Sequence, residues 1–196
     1  MDSSIKKLPV DVVNKIAAGE VIQRPSSILK ELVENSIDSG AKKIDVFITD
    51  YGKTEIQVSD DGHGMNLKNL RICFLNHSTS KLNSFDDLFA LKSKGFRGEA
   101  LSSIASVSHI SISTSSDGII SSNADLIDGK ISKISSGART QGTTISVNNL
   151  FHSFPARKKF LKSAEKELDR ITKVLKKFLL SSSSGGVTNP ALNLEI

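Results

Sequence analysis

Hydrophobic positions along this chain change period several times, and each change marks an element. After Pro9, the apolar residues Val12, Val13 and Ile16 predict a short first helix stopping at Gly19, where a left-handed C-cap is sterically cheap. Pro25 opens a second helix reaching Ser39-Gly40, with Ile28, Leu29, Leu32 and Val33 on one side. The period then becomes two. Ile44, Val46 and Ile48 alternate through Lys43 to Asp50, a turn follows at Tyr51-Gly52, and Ile56 and Val58 mark a strand that delivers the chain into Asp60-Asp61-Gly62-His63-Gly64. A helical pattern returns between Asn66 and Asn76. His77 to Asn83 has the composition of a mobile loop, and Ser84 with Asp87 resembles a capping box for a short helix through Leu91.

Beyond Gly95-Phe96-Arg97-Gly98 the pattern predicts a helix from Glu99 to about Ser106, then β-rich chain to Asn148 with turns at Asp117-Gly118 and Asp128-Gly129. Ser163 to Leu180 reads as an amphipathic helix with Leu168, Ile171, Leu175, Phe178 and Leu179 on its apolar side. Ser181 to Gly186 is low-complexity and linker-like, and Leu192, Leu194 and Ile196 alternate as in a last strand. Helices and strands are mixed without strict alternation. That order predicts the α+β class, a two-layer α/β sandwich, over a doubly wound parallel sheet.

Composition narrows this picture. The 196 residues fit one domain, and 38% apolar content with no run near the roughly 20 residues of a bilayer span predicts no membrane partner. Met1-Asp2-Ser3-Ser4 forms no apolar signal segment, so a soluble intracellular protein is expected. Cys73 is the only cysteine, which excludes an intrachain disulfide and a Cys-based zinc site, and it is expected to be a buried, inert thiol. The net charge of +5 permits contact with polyanions without establishing it. His63, His77, His109 and His152 lack metal-ligand spacing and are expected in surface or packing roles.

Three segments carry candidate chemistry. On the second helix Glu31, Glu34, Asn35 and Asp38 project opposite the apolar side; alone, that is a solvated acidic face. Asp60 offers an acceptor-only carboxylate suited to an exocyclic amino donor, and Gly62 and Gly64 would let a planar ring approach the backbone, although an Asp-Gly turn reads equally well. Gly95 to Leu101 places flexible residues before a helix N-terminus, where free N–H groups favour phosphate. A Walker loop is absent.

Together these segments resemble the MutL branch of the GHKL ATPases, the superfamily that also holds type II topoisomerases, heat-shock chaperones and sensor kinases. The resemblance rests on Glu31-Leu32-Val33-Glu34-Asn35-Ser36-Ile37-Asp38, Asp60-Asp61-Gly62-His63-Gly64-Met65 and Gly95-Phe96-Arg97-Gly98-Glu99-Ala100-Leu101, in order and spacing. Asn14 to Val21, Thr79-Ser80-Lys81, Gly142-Thr143-Thr144 and Pro155-Ala156-Arg157 extend it over nearly the whole chain. It implies a Bergerat-type sandwich with a mixed, largely antiparallel sheet, residues 1–196 forming the N-terminal ATPase domain and residues 77–94 its ATP lid.

The same resemblance implies that Glu31 is the general base, Asn35 the Mg²⁺ ligand, and Asp60 with Thr143 the reader of adenine. Asp38, Gly64, Thr79, Ser80, Lys81, Gly95, Phe96, Arg97, Gly98, Glu99, Ala100 and Leu101 complete the ATP site it implies. The implied function is DNA mismatch repair driven by slow ATP hydrolysis. Its implied partners are a homodimer or paralogue heterodimer, a mismatch-recognition protein of the MutS type, and DNA bound largely without sequence preference. Its place would be the nucleus in a eukaryote, the cytoplasm or nucleoid in a bacterium. The competing reading is an ATP-gated scaffold or DNA-binding module without useful turnover.

Departures from the family pattern are Asp61 where many relatives carry Asn, His152-Ser153-Phe154 before Pro155, and the Ser181–Gly186 insertion. The family's second domain, with its γ-phosphate lysine, is expected to lie beyond this chain. The basic stripe Lys166, Arg170, Lys173 and Lys177 reads first as a solvated helix face, with DNA phosphate as the alternative.

Overall fold

The computed structural model describes residues 7, 9, 13, 16, 21–78, 98–181 and 190–196. Val13 and Ile16 are helical, as is Val21, two positions past the Gly19 expected to end that helix; Gly19 itself lies outside the described residues. So do the capped helix expected over 84–91 and most of the insertion that begins at Ser181.

Seven strands form one sheet: β1 (Lys43–Thr49), β2 (Glu55–Asp60), β3 (His109–Ser115), β4 (Ile120–Ile127), β5 (Lys130–Ala138), β6 (Gly142–Asn148) and β7 (Ala191–Glu195). Their order is β5-β4-β3-β6-β2-β1-β7, antiparallel throughout except where β7 runs parallel to β1. The sheet is therefore mixed and largely antiparallel.

Register explains which face is covered. Ile48, Ile56, Val147, Ile110 and Leu126 align across five strands, and Val46, Val58, Ile145, Ile112 and Ala124 form the next row; all are buried. Each large aliphatic side chain in these rows contributes about 1.5–3 kcal/mol by leaving water. The third row on this face is different: Ile44 is followed by Asp60, Thr143, Thr114 and Ser122. Polar groups thus occupy one end of an otherwise apolar sheet face. Because side chains alternate with period two, the opposite face carries Asp45, Ser59, Thr144, Ser113 and Asn123 and is left polar.

The helical layer covers the apolar face. Helix α1 (Pro25–Asp38) has Pro25 in its first turn and buries Ile28, Leu29, Leu32 and Val33. It packs against β2 and against α5 (Ala164–Ser181), which anchors itself with Ile171 and Leu175. Leu179, expected on that packed side, is instead 51% exposed. Glu167 is buried in the first turn of α5, where its Oε1 accepts from the Lys162 N–H and the Arg170 guanidinium. The apolar stripe is therefore shorter than an ideal wheel predicts.

Helix α2 (Leu67–Ile72) is also shorter than the Asn66–Asn76 pattern. Asn66 caps it by accepting from the Asn69 N–H, but the chain leaves the helix after Ile72 and reaches His77 at φ +62, where helical continuation is impossible. Helix α3 (Ala100–Val107) and the six-residue α4 (Pro155–Phe160) complete the layer. Among the described residues no helix is long and apolar enough to cross a membrane.

Candidate functional site

The polar row at the end of the sheet faces a cleft of about 710 Å³, bounded by α1, the loop after β2, α2 and the start of α3. Roughly 300–1,000 Å³ is usual for a site that takes a cofactor-sized ligand. Glu31, Asn35 and Asp38 line it from α1; Asp60, Gly64 and Thr143 form its sheet side; Gly98, Glu99, Ala100 and Leu101 line it where α3 begins. Thr79, Ser80, Lys81, Gly95, Phe96 and Arg97, also expected here, lie outside the described residues, as does most of the 77–94 lid.

Asp60 bonds to both the helix and the loop after its own strand. Its Oδ2 accepts from the Ser36 hydroxyl at 2.8 Å and its Oδ1 from the Gly62 N–H at 3.0 Å. Ser36 is buried on α1, so the first bond ties the helix carrying Glu31 to the sheet row carrying Asp60. Burial pushes the Asp60 carboxyl above its ordinary value, against the opposing pull of bonds from Ser36, Gly62 and the Thr143 backbone and of the Arg139 charge. An acid raised in the fold stabilises only while protonated, so ionised Asp60 costs the fold above that pKa.

Thr114 and Thr143 extend the polar row. Their hydroxyls lie 2.9 Å apart, Thr114 Oγ1 accepts from the Met65 N–H at 2.8 Å, and it reaches the Gly142 carbonyl at 3.2 Å. These bonds fix the loop that carries Gly64. Val58, Met65 and Ile145 supply apolar surface beside them, so the cleft floor suits a flat group with one polar edge. Ser36 and Met65 also line the cleft, and Thr114 is buried behind its floor; in so serine-rich a sequence, a single Ser or Thr carries no visible signal.

At Gly62 and Gly64 the missing side chain also makes room for neighbouring protein atoms. A Cβ on Gly64, at φ +62, would lie 1.9 Å from the Ser115 carbonyl oxygen, and one on Gly62 would lie 1.8 Å from Ser39 Oγ. Both glycines let protein pack on protein behind the floor. Gly64→Ala is expected to destabilise the domain by about 2–4 kcal/mol through backbone strain and overpacking, read as a lowered thermal midpoint. An unchanged midpoint would contradict the packing account.

The departure at Asp61 is structural. Its Oδ1 accepts from the Lys42 and Lys43 N–H groups at 2.7 and 2.9 Å, pinning the start of β1 and turning away from the cleft. The bond from Lys43 chiefly, with that from Lys42, holds its carboxyl below the ordinary aspartate value. Its stabilising contribution is present above that ordinary value and is lost as pH falls through the depressed one.

The remaining walls hold groups of different character. Glu34, on the same side of α1 as Glu31 by helical angle, does not line the cleft; its Oε2 takes the Lys30 ammonium at 3.0 Å. Cys73 does line it, but its thiol donates to the Leu70 carbonyl and burial pushes its pKa up to about 12, leaving it inert as a nucleophile. His63 binds the Gly64 carbonyl at 2.8 Å. Among the described residues no side chain caps the start of helix α3, whose first residues Ala100 and Leu101 line the cleft, and Gly98, at φ +64, packs against the Ser78 backbone. His152 pairs with Asp128 at 3.1 Å and stacks near His109, away from the cleft.

Among the described residues no group of three His, Cys, Asp or Glu side chains could hold a metal alone. The oxygen donors on α1 suit instead a hard cation arriving with other ligands, since Mg²⁺ keeps waters and takes phosphate oxygens.

Comparison with known proteins agrees with this geometry. The family described as histidine kinase-, DNA gyrase B- and HSP90-like ATPases matches residues 23–154. Over 182 residues the chain is 49% identical to the DNA mismatch repair protein MutL of Fervidobacterium nodosum, covering 93% of this chain and 31% of that protein. Against MutL of Phocaeicola vulgatus it is 48% identical over 181 residues, covering 92% of this chain and 29% of that one. Among solved structures, the N-terminal domain of a DNA repair protein superposes with a TM-score of 0.72 at 32% identity, over 85% of this chain and 48% of that one. The Aquifex aeolicus MutL ATPase domain complexed with ADP gives 0.69 at 26% identity, over 89% and 60%. The chain spans just under a third of the curated relatives named here.

Proposed function

Since the chain belongs to the histidine kinase-, DNA gyrase B- and HSP90-like ATPases, we propose that its cleft binds ATP with Mg²⁺ and hydrolyses it slowly, as the N-terminal ATPase unit of a MutL-type DNA mismatch repair protein. The observation that carries this reading is the convergence of Glu31, Asn35, Asp60 and the uncapped start of α3 on one cleft. The ADP held by the Aquifex relative supports the same ligand class.

In this reading the Asp60 carboxylate accepts from the exocyclic amino group of adenine, with Thr143 beside it on the same row. The N–H groups at the start of α3 donate to phosphate oxygens, favoured by the helix dipole. Asn35, one turn of α1 beyond Glu31, offers a neutral oxygen to Mg²⁺, which when bound would neutralise phosphate charge. Glu31 orients the attacking water and accepts its proton. Residues 77–94 would act as the lid, with Thr79, Ser80, Lys81 and the backbone of Arg97 to Leu101 closing over the phosphates and Gly95 and Phe96 completing the site.

In the whole protein, ATP binding would drive pairing of two N-terminal units, in a homodimer or with a paralogue. Hydrolysis would reset the pair as it couples a MutS-type partner's mismatch recognition to strand processing on DNA. The test is calorimetric titration with ATP and Mg²⁺ alongside phosphate release. Binding with slow release is expected. Binding without any release would favour the ATP-gated scaffold, and no binding would overturn the reading.

A further inference from the structure

Glu31 does not stand alone on α1. The Lys30 ammonium donates to Glu31 Oε1 at 3.0 Å and to Glu34 Oε2 at 3.0 Å, so one cation bridges two carboxylates. Glu34 is four residues along the helix, the spacing at which side chains meet, whereas Glu31 is the immediate neighbour and faces elsewhere without help. The two carboxylate side chains are only 23% and 17% exposed, and Lys30 is 43% exposed. An ordinary solvated pair on a helix surface is worth little, but this bridge sits where its geometry controls a cleft-lining group. Glu31 commits Oε1 to Lys30, and among the described residues Oε2 takes no hydrogen bond. Among the described residues that oxygen is the one left to meet a water in the cleft.

We infer that Lys30 is a positioning residue: held by Glu34, it fixes the Glu31 carboxylate by one oxygen so that the other is aimed at the attacking water. The inference rests on Glu31 being the base. The arrangement matches the general logic of a catalytic base held by a second group and oriented by a third. Glu34 thereby gains a task although it never touches the cleft.

The experiment is single-turnover ATP hydrolysis with equilibrium nucleotide binding on Lys30→Met, Lys30→Arg, Glu31→Ala and Lys30→Met/Glu31→Ala, with thermal melts of each. Lys30→Met is expected to slow hydrolysis by about 10- to 100-fold, the cost of a misplaced reacting group, with nucleotide affinity within about 3-fold of the parent. Lys30→Arg, which keeps the cation and its reach, recovers most of the rate. In the Glu31→Ala background the Lys30 change costs nothing further, because the group it positions is gone. A merely structural lysine would lower affinity and thermal midpoint together and would add its loss to that of Glu31→Ala. Parent-like hydrolysis in Lys30→Met, or the same fold-loss with Glu31 absent, overturns the inference and leaves Glu31 in place. Parent-like hydrolysis in Glu31→Ala takes down both.

Discussion

Glu31→Ala is expected to slow single-turnover ATP hydrolysis by about 10²–10⁴ while nucleotide affinity stays within a few-fold, and Asn35→Ala is expected to weaken Mg²⁺-dependent nucleotide binding itself. The two residues lie one turn apart and line the same cleft, so position alone does not separate them. Their chemistry does. Asn35 offers a neutral oxygen to a cation present before reaction begins, whereas Glu31 acts when water gives up its proton, and an interaction confined to the transition state changes turnover rather than affinity. Single-turnover hydrolysis paired with equilibrium binding measures both. Hydrolysis at the parent rate in Glu31→Ala would remove it as the base, and Glu34, bound to Lys30 and outside the cleft, is poorly placed to replace it.

The second large effect concerns Asp60. Asp60→Asn keeps an oxygen for the Gly62 N–H and a group able to meet Ser36, but it reverses the hydrogen-bonding character shown to adenine. Nucleotide affinity is expected to fall by about 10- to 100-fold, the cost of leaving a buried partner unmatched. The unliganded domain is expected to melt at the parent temperature or above it, because burial already penalises the charge being removed. pH gives an independent check on the parent. If the carboxylate form binds, affinity declines as pH falls through the Asp60 pKa, and burial places that decline above the ordinary aspartate range. Calorimetry from pH 8 down to about pH 4 reads it. Undiminished affinity in Asp60→Asn, or none of this acid decline, would take Asp60 out of the adenine site.

Much of this architecture is written in short-range pattern. Ile44, Val46 and Ile48 alternate because one sheet face is covered and the other is not, and the turns at Asp117-Gly118 and Asp128-Gly129 need the positive φ that their glycines adopt. Elements built on such rules were legible residue by residue. The grouping of Glu31, Asn35 and Asp60 was legible only through motif resemblance, since helical angle places Glu34 beside Glu31 and says nothing of the lysine that draws it away. What escaped depended on distant residues. Ser36 is one of many serines until α1 is laid against β2, and Thr114 is an ordinary strand threonine until Thr143 is paired with it. At Gly62 and Gly64 the absent side chain also leaves room for Ser39 and Ser115, which no local pattern reveals. Leu179 fits an ideal helical wheel but is half exposed at the margin of the packed layer, beside Phe178 and Leu192.

The strand that seals the outer edge of β1 does so by the sheet's longest-range pairing. β3 and β4, and β4 and β5, meet across tight turns, so their contacts close small loops at little entropic cost. β7 must find β1 across most of the chain; its Asn193 bonds Asp45, 148 positions earlier. Until that long loop closes, β1 presents a bare row of N–H and C=O groups to any extended segment nearby. The strand following the Glu31 helix is thus kept from being an open edge by a contact that spans most of the chain.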